Sequence, residues 1–249
     1  RLATFMERRA RPRASTLGAH GRIPVANALE IEKFGYVRDR LAEMLSDAES
    51  YSEADWQTAV ADLFLLIFPR YIAVLNKVRV KEWYSKGPGS TNREIDLILV
   101  AADGYVDIIE IKKPIERGLV SKRLYRDNHV PVRDLSGAIM QAEKYLFYLS
   151  KSGRDGEREI AKKHASDLPE GLEVKIANPK AIILAGRDRD LSMEEKSDFE
   201  FIRRKYSNVV DIISYDDLLR RLDNVIESLT KRLAGGARSG SSGREGGAR

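Results

Sequence analysis

The sequence predicts an α/β fold: a mixed central sheet, an antiparallel meander followed by parallel strands, flanked by helices. Three observations predict it. Three strand-like stretches between 71 and 113 are joined by short loops, so they pair as neighbours in hairpins. Beyond them short apolar strands alternate with helical stretches, the pattern of a parallel sheet covered by helices. The 249 residues, 43% of them hydrophobic, suffice for one sizeable core.

Residues 1–26 lack apolar periodicity and are expected to be a basic flexible or docking arm. Ala28–Leu45 reads as a helix that opens a folded domain over 27–234. Ser52 is a helix N-cap, with Asp55 three residues on completing a capping box, and Glu53–Phe68 is an apolar helix stopped by Pro69. Tyr71–Tyr84 reads as a long strand, alternating at Val78 and Val80. After the loop SKGPGSTN come two further strands, Glu94–Ala101 and Tyr105–Lys113, around Ala102-Asp103-Gly104. Residues 114–131 form a long basic loop, a length that compact domains seldom keep without a use. Val132–Ser150 is an amphipathic helix, and 151–176 is polar, with part of it helical. Ala181–Ala185 is a buried strand, Ser192–Tyr206 a helix, Val209–Ser214 a strand and Tyr215–Leu233 a closing helix. From Gly235 the tail GGARSGSSGREGGAR is low in complexity and expected to be disordered. The chain begins at Arg1 without Met, which predicts a piece of a longer protein.

Composition excludes several classes. There is no cysteine, so disulfide scaffolds and thiolate zinc sites are out. Three histidines leave oxygen as the expected donor to any metal. No apolar run is long enough to span a bilayer, the best, Ala59–Phe68, being interrupted by Asp62. No signal peptide is read from the Arg-rich start, and a cytoplasmic location without membrane attachment is expected. The net charge of +5 belongs to the ends: 1–16 carries +4 and 232–249 carries +3, leaving −2 for 17–231. Within that body, residues 112–133 hold seven cations against Glu116 and Asp127. Such a segment either meets phosphates or is a solvated loop. Lys113, Arg117, Lys122, Arg123, Arg126 and His129 are its candidate nucleic-acid contacts.

Two strands break their apolar pattern with charges. EIDLILV carries Asp96, and YVDIIEIKKP carries Glu110 and Lys112. Alternation puts Glu110 and Lys112 on one face. A charge in an apolar strand is costly unless paired or bound to metal. The turn decides whether they meet Asp96. A two-residue Asp103-Gly104 turn pairs residues whose numbers sum to 207, which sends Asp96 and Glu110 to opposite faces. A three-residue loop with Gly104 left-handed gives 206 and sets Asp96 directly across from Glu110. The three-residue loop is the prediction. A plain salt bridge of Lys112 with Glu110 or Glu94 is the structural alternative.

The D-x13-E-x-K spacing followed by Pro114 resembles the PD-(D/E)XK nuclease superfamily. So do the element order and Gln141 with Tyr145, which match its Q-x-x-x-Y pattern. Narrower still, EADWQ at 53–57, REID at 93–96, EIKKP at 110–114 and QAEKY at 141–145 look like the Shedu (SduA) antiphage defence nucleases, over roughly 50–230. Asp96 is preceded by Ile95 rather than proline. The resemblance implies a restriction-endonuclease-like core and a metal-dependent endonuclease that nicks or cuts double-stranded DNA. It also implies homo-oligomers, tetramers by family, and an N-terminal sensor for which 1–50 is too short. Alternatives are a repair or junction-processing nuclease of the same superfamily, and a nucleic-acid-binding assembly module that no longer cleaves.

The chemistry asked of these residues is consistent with the resemblance. Asp96, Glu110 and the Ile111 carbonyl are expected to hold Mg²⁺, with Mn²⁺ as substitute. Glu53, at the start of the preceding helix, completes that site or serves a second one. Lys112 positions or deprotonates water or stabilises the phosphorus; as a base it needs a lowered pKa. Gln141 orients water or contacts phosphate, and Tyr145 packs beneath and donates its hydroxyl. Trp56 and Trp83 are read as packing groups.

Overall fold

The computed structural model describes residues 19–81, 92–114 and 118–239. The chain divides into two compact units. One comprises the described parts of 1–46 and 219–249, the other Asp47–Leu218. In the first lies helix α1 (Ala19–Ser46), which buries Val37, Leu41 and Met44, a one-faced spacing. Arg38 of α1 pairs with Asp223 at 3.4 Å inside the same unit. The helix begins nine residues before the predicted Ala28, because polar and small residues propagate a helix without an apolar stripe to announce it. The predicted arm otherwise lies outside the described residues.

The second unit holds a five-stranded sheet in the order β1 to β5. Its strands are β1 (Tyr71–Lys81), β2 (Asn92–Ala101), β3 (Val106–Ile111), β4 (Ala181–Leu184) and β5 (Val210–Ile213). The first three form an antiparallel meander, and β3, β4 and β5 run parallel. The mixed sheet is therefore as predicted. The helices of this unit are α2 (Glu53–Ile67), α3 (Arg133–Lys163) and α4 (Met193–Tyr206), with α5 (Tyr215–Ser239) beginning in it. Ser52 caps α2 through a reciprocal capping box with Asp55. The predicted β1 extension through Trp83 and Tyr84 lies outside the described residues.

The helical part expected within 151–176 is 151–163, where the helix continues across a break at Gly153 (φ 47°, ψ −142°). The polar sequence there hid the bounds of the helix, and the glycine supplies the one non-helical residue it needs. Residues 235–239 continue α5 rather than starting the tail, while 240–249 lie outside the described residues.

All six residues of β3 are buried. Its Val106 and Ile108 join Ile98 and Val100 in a core with Leu135, Ala138, Ile139, Ala142 and Leu146 of α3. Alternation turns Asp107, Ile109 and Ile111 the other way. There Asp107 accepts from the Tyr71 hydroxyl at 2.8 Å, and Tyr71 sits beside Phe64 of α2. The sheet is thus covered by α3 on one face and α2 on the other.

Candidate active site

The β2–β3 connection fixes the site. Ile98 pairs with Ile108, Leu99 with Asp107 and Val100 with Val106, each pair summing to 206. Gly104 adopts φ 86° and donates its N–H to the Ala101 carbonyl at 2.9 Å, while Ala101 donates to Tyr105 at 2.8 Å. This is the three-residue loop. The paired register ends at Ile98 and Ile108; continued by two residues it would set Asp96 across from Glu110, and the Asp96 charge is close enough to push the Glu110 carboxyl up.

Glu110 is the most buried charge of the site, 1% exposed, on the α3 side of a strand with neighbours on both edges. Lys112 Nζ lies 2.7 Å from its Oε1. That contact is an ion pair, and among the described residues Oε1 has no hydrogen-bond partner beyond it. Glu53, at the first turn of α2, reaches the same ammonium at 3.7 Å. Burial pushes the Glu110 carboxyl up, against the pull of Lys112 and with a further push from the charges of Asp96 and Glu53. For Lys112, burial works downward, but pairing with Glu110, then the fields of Glu53 and Asp96, carries the ammonium upward. Lys112 is therefore held as a cation in this arrangement, and the lowered pKa that a base would need is not found.

Gln141 and Tyr145 face this group from α3. Gln141 Nε2 donates to the Tyr145 hydroxyl at 3.0 Å. Burial raises the Tyr145 pKa, against the Gln141 hydrogen bond and helped by the negative field of Glu110 and Asp96. Its hydroxyl stays protonated beside the carboxylates. Asp96, Glu110, Lys112, Glu53, Gln141 and Tyr145 thus form one electrostatically connected group.

Three further residues complete it, of which sequence reasoning missed two and half-read the third. Gln57, one turn after Glu53 on α2, directs Nε2 at the Ile111 carbonyl at 3.4 Å. Tyr215, fully buried, donates to the Lys112 carbonyl at 2.7 Å and accepts from the Trp56 indole. Gln57 was findable from its i, i+4 spacing to Glu53. Tyr215 left no signal, since its partner is 103 residues away. Trp56 packs against Tyr215 edge to face, so packing was half of its role.

The basic segment is mostly tied down. Lys113 donates to the main-chain carbonyls of Tyr51 at 2.8 Å and Glu49 at 3.3 Å, clamping the turn before α2. Lys122 pairs with buried Glu195 at 2.8 Å. His129 donates its ring Nδ1–H to the Ser121 main-chain carbonyl (2.7 Å) and its main-chain N–H to Asp198 (2.7 Å). Arg123 and Arg126 are exposed. Arg117 lies outside the described residues.

Among the described residues, no three acidic or histidine side chains gather as a metal cluster. The oxygen donors on offer are the carboxylates of Asp96 and Glu110 and the Ile111 carbonyl. A buried carboxylate oxygen whose one neighbour is an ammonium, beside a second carboxylate, is a set that a hard divalent cation could complete. No helix among the described residues is long and apolar enough to cross a membrane.

Residues 50–219 match the family model of the Shedu protein SduA, C-terminal region. No curated protein matches the chain. The match spans well over half of the 249 residues, and the chain belongs to the Shedu SduA family.

Proposed function

We propose that this Shedu-family chain is a metal-dependent endonuclease that nicks or cuts double-stranded DNA in bacterial antiphage defence. The observation that supports the reading is the register of the meander, whose 206 sum, continued two residues, would bring Asp96 opposite Glu110, with the Lys112 ammonium 2.7 Å from Glu110. Asp96, Glu110 and the Ile111 carbonyl would hold Mg²⁺ or Mn²⁺. When bound, such an ion supplies positive charge to the scissile phosphate and acidity to the attacking water.

The chain's own groups do the rest. Lys112, kept charged by its carboxylate neighbours, offers an ammonium to a phosphate oxygen or to the developing charge on phosphorus. Glu53 holds that ammonium from the solvent side. Gln141 orients water or a phosphate oxygen, and Tyr145, with Gln141 on its oxygen, keeps a proton to donate. Trp56 and Tyr215 hold the main chain at Lys112, so the ammonium projects from a fixed backbone.

Antiphage defence and a homo-tetrameric assembly rest on family membership. The test is relaxation of supercoiled plasmid by the full chain with Mg²⁺. Open-circular or linear product from the wild type, and none from Lys112→Ala, is the expected result. An intact plasmid with both Mg²⁺ and Mn²⁺, or equal activity in Lys112→Ala, overturns the reading. Adding Mg²⁺ at roughly ten times its Kd should also raise wild-type stability by about 1.4 kcal/mol, and Glu110→Gln should lose that gain.

A further inference from the structure

Residues 119–132 form a small two-stranded ribbon. Val120 bridges Pro131, and Tyr125 bridges Asn128. Ser121 N–H donates to the Val130 carbonyl at 2.8 Å, and Tyr125 and Asn128 exchange main-chain bonds of 2.9 and 3.1 Å. At its tip Arg126 and Asp127 have φ 49° and 62°, a two-residue turn with both central residues left-handed. Asn-Gly is the usual choice there. Arg-Asp instead holds two side chains in a region they seldom adopt, a cost that persists where surroundings impose it and that concentrates at functional sites. Asn128 Nδ2 supports the turn by donating to the Arg126 carbonyl at 2.5 Å.

The turn holds an aromatic ring in solvent. Tyr125 is 61% exposed and Leu124 51%, with the Arg126 guanidinium carbon 5.5 Å from the Tyr125 ring centroid. Among the described residues neither Arg123 nor Arg126 forms an ion pair, whereas Lys122 is spent on Glu195. The root is anchored: Leu119 and Val120 are buried. Leu119 fills the space beside Gly186 that a β-carbon would need. Gly186 follows the carboxyl end of β4, where Lys112 N–H donates to Leu184 at 2.9 Å. The ribbon therefore rises from the same end of the sheet as the Glu110–Lys112 pair, the end at which α/β sheets take their ligands.

We propose that this ribbon tip is a base-stacking wedge for single-stranded or locally opened DNA. Tyr125 stacks on an unpaired base, and Arg123 and Arg126 meet the flanking phosphates. The choice of DNA as ligand rests on the nuclease reading; the stacking geometry does not. An exposed aromatic flanked by unpaired cations suits a stacked base and an anionic backbone together, whereas a purely apolar partner would leave both arginines unused.

The test is fluorescence anisotropy of the full chain, in EDTA, with a labelled oligothymidine and with a blunt duplex. Tyr125→Ala should weaken oligothymidine binding roughly tenfold and change duplex binding by less than about twofold, while Tyr125→Phe should match the wild type. Arg123→Gln with Arg126→Gln should weaken both and flatten the dependence of log K on log salt by about one to two. The wedge is overturned if wild type binds neither probe, if Tyr125→Ala binds oligothymidine as well as wild type, or if binding is indifferent to salt. This pattern of binding with an intact plasmid in Mg²⁺ would keep the wedge and remove the nuclease. Plasmid nicking with Tyr125→Ala binding unchanged would do the reverse.

Discussion

The buried Tyr215 hydroxyl donates to the main-chain carbonyl of Lys112 at 2.7 Å, and the Trp56 indole N–H donates to that hydroxyl in turn. One phenol oxygen thus joins α2, the end of β3 and the start of α5. It is held protonated by burial, which raises its pKa against the Trp56 hydrogen bond.

Tyr215→Phe should leave the Trp56 N–H and the Lys112 carbonyl without partners in a dry interior. The expected cost is about 2–3 kcal/mol, read from urea unfolding. Trp56 should also change its emission, because its N–H loses its acceptor. An unchanged midpoint and spectrum would show that the hydroxyl does not hold the backbone.

The carboxylate and the ammonium at positions 110 and 112 should be strongly coupled. Lys112→Met strands a buried carboxylate and should cost about 2–4 kcal/mol at neutral pH. Glu110→Gln in the same chain should return most of it. A double-mutant cycle by urea unfolding with a coupling below about 0.5 kcal/mol would contradict this.

Gly104→Ala should destabilise by about 2–3 kcal/mol. The residue sits at φ 86°, and an added β-carbon would overlap the Glu173 carbonyl oxygen. A thermal midpoint equal to wild type would mean that the loop tolerates another conformation, and with it another register for Asp96 and Glu110.

Acid unfolding has two identifiable sources. Lys122, with the Ser192 N–H, holds the Glu195 carboxyl below its usual range. At Asp216 burial works upward, but Arg187 and the N–H groups of Asp188 and Arg189 outweigh it and hold the carboxyl low. Both folded-state pKa values are depressed, so their stability is fully present above the unfolded values near 4 and is lost as pH falls through the folded ones. The urea midpoint should hold from neutral pH to about 5 and then fall. Asp216→Asn should lower the neutral-pH midpoint and flatten the decline; a slope identical to wild type would remove Asp216 as a cause.

The fold was largely legible because alternation, caps and turn residues are local. Ser52 with Asp55 announced α2, and Gly104 announced the register that joins Asp96 to Glu110. The bounds of the helix through 151–163 and the start of α1 were not legible, since polar turns carry no stripe. In the basic segment, composition showed the charges and not their partners. Lys113 is tied to carbonyls at 49 and 51, and Lys122 to Glu195, both far away in sequence. Distance along the chain also concealed Tyr215.

The strand that carries Glu110 borders two kinds of partner. One edge closes through the tight loop at Gly104, while the other waits for β4, with Ile111 meeting Leu184 73 residues later. During synthesis, the acidic strand would stand half-zipped, one apolar flank open, until the ribosome had delivered Leu184. The environment of Glu110 would then be complete only late, once the β3–β4 crossover had closed.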